Sequence, residues 1–83
     1  MDTKIDQETL YETLRVILHR SAYRANTADN LVELKNASKF FHGALELAQL
    51  LDLDAHLYSM IEDEWQSVFA RNHRRITEND ESW

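Results

Sequence analysis

Four histidines and fifteen carboxylates are the side chains here that metal binding or acid–base chemistry would use, and their spacing favours neither. His42 and Glu46 stand four apart and so share a helix face, which suits a two-ligand clamp. No Glu-x-x-His or His-Glu-x-x-His pattern occurs, and His19, His42, His56 and His73 are scattered along the chain. Surface or partly buried imidazoles without a metal are therefore expected. The absence of cysteine removes thiolate nucleophiles, zinc ribbons, iron–sulfur clusters and disulfide frameworks. A serine nucleophile would lack the glycine-rich turn that usually supplies oxyanion donors, and the single glycine, Gly43, leaves no phosphate-cradling loop. At 83 residues there is little room for a water-excluding pocket. The expectation is a protein that is not an enzyme and carries no cofactor.

The elements that hold these side chains are helices, because one glycine and no proline leave almost no turn punctuation and no segment alternates with period two. Leu10, Tyr11, Leu14, Ile17, Leu18, Ala22 and Ala25 recur at helical spacing, with Asp6, alone or together with Thr3, as the cap. A second stripe, Leu34, Ala37, Phe41, Ala44, Leu45, Ala48 and Leu51, follows a cap at Thr27 or Asp29. A third, Leu57, Tyr58, Ile61, Trp65, Val68, Phe69 and Ile76, follows Asp52 or Asp54. Trp65 is expected in the core.

Short connections make sequential helices antiparallel, so the expected fold is an all-α, up-down-up three-helix bundle. The alternative is a long helical hairpin that dimerises. Residues 1–76 form one domain, and residues 77–83 form an acidic tail expected to fray. Trp83 at its end reads either as part of a short docking motif or as folded back over the bundle.

The second helix carries more apolar surface than one seam needs. Phe40, Leu47 and Leu50 lie beside its main stripe, and Phe40 and Phe41, about 100° apart, cannot both enter one helix–helix contact. Gly43 costs about 1 kcal/mol relative to alanine inside a helix, and with Ala37, Ala44 and Ala48 it makes the helix slim enough for close approach by another. That other helix belongs either to the same chain or to a partner. Phe40, Leu47 and Leu50 are the expected contact strip.

Charge is unevenly arranged. The formal net charge is −6, yet an up-down-up bundle gathers Arg20, Arg24, Lys35, Arg71, Arg74 and Arg75 at one pole. Asp2, Asp6, Glu8, Glu46, Asp52 and Asp54 fall at the other pole, and Glu62, Asp63 and Glu64 lie along the third helix. One explanation is docking of an anionic partner. The other is the helix macrodipole, which draws cations to helix C-termini and explains all of them except Lys35.

The segment from Glu46 to Glu62 resembles the helix-turn-helix of transcriptional regulators, with Ala48 at the small packing position, Leu51 and Leu53 around the turn and Ile61 in the second helix. It departs from that pattern at Asp52, which replaces the turn glycine. It departs again in the reading helix, where Asp54, Glu62, Asp63 and Glu64 would repel phosphates.

The N-terminus is acidic where a secretory signal is basic, and no run of about eighteen apolar residues occurs. A cytoplasmic protein with no membrane partner is expected. Small chains of this class, as among bacterial and phage regulators, adaptors and inhibitors, commonly act by binding a protein. The expected partner is thus a protein, met through Phe40, Leu47 and Leu50 and through Arg20, Arg24, Arg71, Arg74 and Arg75, with a homodimer through the second helix as a further expectation. Nucleic-acid binding by the basic pole, and imitation of DNA by Asp52, Asp54, Glu62, Asp63 and Glu64, are the competing classes.

Overall fold

A computed structural model describes residues 6–81, with side chains through residue 78. Three helices, α1 (Gln7–Asn26), α2 (Leu31–Leu50) and α3 (Ala55–Glu81), each pack against the other two. This is the all-α three-helix bundle expected from the stripes, and it replaces the hairpin alternative. The stripes meet in one core of Leu10, Leu14, Leu18, Leu34, Phe41, Leu45, Ile61, Trp65 and Ile76 with smaller neighbours. Each such large side chain contributes about 1.5–3 kcal/mol by leaving water. Trp65 occupies the centre, stacked on Phe41 with ring centroids 5.1 Å apart. Ser21 is also buried, and its hydroxyl has no hydrogen-bond partner.

The ends of the helices set the up-down-up order. Asp6 caps α1 through its carbonyl, which accepts from Leu10 N at 2.9 Å, while its carboxylate takes no backbone N–H. Thr3 lies outside the described residues. The cap of α2 is Asn30 and not Thr27 or Asp29: Asn30 Oδ1 accepts from Glu33 N at 2.9 Å, and Glu33 Oε1 accepts from Asp29 N at 2.7 Å. This near-reciprocal pair satisfies two orphan donors at once. Thr27 instead closes α1, its hydroxyl donating to the Tyr23 carbonyl at 2.9 Å.

Between α2 and α3 the chain turns by a Schellman motif. Leu53 N donates to Ala48 O and Asp52 N to Gln49 O, both at 3.0 Å, with buried Leu53 packed over the helix end. The motif requires a left-handed residue, and Asp52 supplies it with φ 67°. Asp54 then caps α3, its Oδ1 accepting from His56 N at 2.8 Å. Gln7 fastens this turn to the start of α1, donating to Asp52 O and accepting from Asp54 N, each at 2.8 Å.

At the far end α3 continues as helix to Glu81, five residues beyond the expected end of the domain, whereas the last of its described side chains buried in the core is Ile76. Helical hydrogen bonding carries the chain on where apolar periodicity stops. Trp83 lies outside the described residues.

Asp52 is the position where backbone conformation and residue type disagree. A glycine there adopts φ 67° without the Cβ clash. Asp52→Gly should raise unfolding stability by about 0.5–1 kcal/mol, read as a higher urea midpoint at unchanged m-value. A lower midpoint would show that the aspartate side chain contributes more than its backbone strain removes.

Candidate interaction surface

α2 buries Leu34, Ala37, Phe41, Leu45 and Ala48 on one side. At about 100° per residue the opposite side carries Gly43, Leu47 and Leu50, with Phe40 between the two. The bundle leaves this side open: Phe40 is 41% exposed, Leu47 59% and Leu50 76%. The three strip residues are therefore free surface of the chain.

Toward α1 the strip runs into a groove of about 260 Å³. Its walls are Thr9, Thr13 and Ile17 of α1 and Ala44, Leu47 and Leu51 at the end of α2, and its floor is Leu10, Leu14 and Ala48. Val16, 53% exposed, extends the apolar surface on the α1 side. Of the α1 half of this surface, Thr9 and Thr13 were missed by the sequence reading, although they stand at four-residue steps from Ile17 of the main stripe. Leu51, expected in the buried stripe, is 40% exposed instead, because it ends α2 and turns outward at the cap.

Gly43 is exposed, and a Cβ built on it meets no atom within 4 Å. Close packing within the chain, one of the two explanations for a glycine here, is thereby excluded for the described residues.

At the basic pole the five arginines divide by environment. Arg75 is half-buried and engaged through Nε and Nη2. Its Nη2 donates to the carbonyls of Ala25 at 3.1 Å and Ala28 at 3.0 Å, and Nε and Nη2 both reach Asn72 Oδ1. Buried Asn72 in turn donates to Asn26 Oδ1 at 2.8 Å and to Val68 O. Arg71 reaches Asn26 at 3.3 Å. Arg75 thus satisfies the Ala25 carbonyl in the last turn of α1 and the Ala28 carbonyl just beyond it, the macrodipole role, while Arg71 and Asn72 hold the Asn26 side chain. Arg20, Arg24 and Arg74 are exposed, and Arg24 lies over the Phe40 ring at 4.7 Å, joining the basic pole to the apolar strip.

The acids are also partly committed. Glu64 pairs with Arg15 across α1 and α3 at 2.6 Å. The hydrogen bond from Arg15 to Glu64, with a second to the Tyr11 hydroxyl, holds the guanidinium pKa above its usual value. Asp54 is used as a cap. Glu62 is half-buried, and Asp52 and Asp63 are exposed. His42 Nδ1 sits 2.9 Å from the Ser38 carbonyl and 3.1 Å from its hydroxyl. Among the described residues no three potential ligands lie together as a metal site, and no helix is long and apolar enough to cross a membrane.

No family model, curated protein or solved structure matches the chain.

The arginines should separate in unfolding experiments. Arg75→Gln leaves the Ala25 and Ala28 carbonyls short of a charged donor and should cost about 2 kcal/mol. Arg74→Gln should change stability by less than about 0.5 kcal/mol. Gly43→Ala should stabilise the isolated chain by about 0.5–1 kcal/mol, since the new methyl meets open space and the helix gains propensity. Equal urea midpoints for Gly43→Ala and the wild type at low protein concentration would contradict this.

Proposed function

We propose that the chain is a non-enzymatic interaction module, a regulator, adaptor or inhibitor that acts by binding a protein through the outer face of the α1/α2 pair. The observation that carries this reading is the continuity of exposed Phe40, Leu47 and Leu50 with an apolar groove whose floor is the core itself. A bundle that leaves large side chains contiguous and open in this way keeps them in water at a cost that burial against a partner would recover. The shape between two antiparallel helices suits an amphipathic helix laid along it. Arg20 and Arg24 at one end supply polar contacts that orient such a partner.

Nucleic-acid binding through the pole has less support, because Arg75 and Arg71 are already bonded to the bundle. Imitation of DNA likewise has fewer free carboxylates to draw on, with Glu64 in an ion pair and Asp54 in a cap. The cytosol, as a reducing compartment, suits a chain that does without cysteine.

The test is capture from native lysate at low and high salt, with nuclease treatment, comparing wild type with Leu47→Asp and Arg74→Gln. Binding that survives high salt and nuclease, is lost in Leu47→Asp and persists in Arg74→Gln is the expected pattern. Capture that collapses with salt or nuclease, or is lost in Arg74→Gln while Leu47→Asp still binds, would replace this reading with one based on the charged pole.

A further inference from the structure

Resting on that reading, we infer that one occupant of the outer face is a second copy of the chain, bound antiparallel through α2 with its two-fold axis at Gly43. The outward line of α2 is centred on Gly43, with Val32, Asn36 and Leu50 within about 20° of it. On the flank toward α1, about 40–60° away, stand Phe40 and Leu47. On the opposite flank, at the same angles, stand Lys39 and Glu46, both exposed.

This arrangement is self-complementary. A two-fold axis normal to a pair of antiparallel helices keeps like flanks on the same side and reverses their order along the helix. Lys39 of one copy then faces Glu46 of the other, and Phe40 faces Leu47, each twice. Lys39 and Glu46 are seven residues apart, as are Phe40 and Leu47, and Gly43 is the midpoint of both pairs to within half a residue. A parallel pairing would bring unlike flanks together, setting the charged Lys39 and Glu46 of each copy against the apolar Phe40 and Leu47 of the other. Phe40, Gly43, Leu47 and Leu50 also follow the alternating three-and-four spacing of a coiled-coil seam.

Gly43 provides an independent observation. It lies in mid-helix, and among the described residues nothing comes within 4 Å of a Cβ built on it. At the axis of an antiparallel pair two such glycines let the helices approach more closely than side chains normally allow. The grooves beside Leu47 come to lie on the same side of the seam in both copies, so a dimer formed this way still presents them to a further partner.

The experiment is sedimentation equilibrium of the full chain from micromolar to millimolar, with helicity followed by circular dichroism. The wild type should pass from one chain to two. Gly43→Gln, which meets open space within the chain and improves helix propensity, should melt higher as a monomer yet dimerise at least about tenfold more weakly. Lys39→Glu should weaken dimerisation about tenfold, and Lys39→Glu combined with Glu46→Lys should restore it. A single-chain mass for the wild type at every concentration overturns the inference. So does a dimer indifferent to Gly43→Gln and to both charge variants, which would place the contact elsewhere. In either case the lysate capture with Leu47→Asp still decides the protein-binding reading by itself.

Discussion

A helix in a three-helix bundle can hide only the part of its circumference that faces its two neighbours, and α2 is apolar over more than that part. Everything distinctive in the molecule follows from this excess. α1 and α3 each bring one stripe to the core, and their remaining faces are dominated by charge and polar groups. α2 brings the stripe through Phe41 and keeps a second apolar surface through Phe40, Leu47 and Leu50 that the bundle leaves exposed. The core is already closed around the Trp65 and Phe41 stack, so rotating α2 to cover Phe40 would expose Phe41. Because the two residues are adjacent, the bundle has to choose between them.

The polar groups keep that choice fixed. Gln7 ties the start of α1 to the turn before α3, and Arg75 with Asn72 ties α3 to the end of α1. These two latches stand at opposite ends of the bundle and are made mostly to backbone carbonyls and N–H groups, so they set the register of all three helices. The Arg15–Glu64 pair adds a third tie between α1 and α3 along their length. None of the three bonds to α2 side chains. The helix with the open face is held by apolar packing, by its own caps and by Arg24 over the Phe40 ring.

Periodicity was enough to show the three helices and the residues of the core, because burial on one face of a helix leaves a repeat that needs no partner information. Phe40, Leu47 and Leu50 were legible as surplus for the same reason. Leu51 was misread, because periodicity continues one residue past the point where the cap turns the chain outward. The cap of α2 was misplaced by one to three residues, since Thr27, Asp29 and Asn30 are all competent and only the course of the connection selects among them. The α1 wall of the groove was harder to see: Thr9 and Thr13 are polar by type and become lining only when α2 lies beside them. The commitment of Arg75 was similarly hidden, as its partners are backbone carbonyls of Ala25 and Ala28, about fifty residues away.

Asp52 and Gly43 bear on the difference between what stabilises the chain and what its surface is for. At Asp52 a glycine would suit the backbone and an aspartate stands there; at Gly43 an alanine would suit the helix and a glycine stands there. Glycine at the first position and alanine at the second would improve local structure at both. The aspartate at φ 67° can be understood within the fold, because short polar residues tolerate the left-handed region better than most. Nothing among the described residues accounts for the glycine: no atom lies within 4 Å of a Cβ built there, no turn needs it and the helix is weaker for it. A residue that lowers the stability of its own helix while leaving the outer face flat is what the proposed packing against that face would explain.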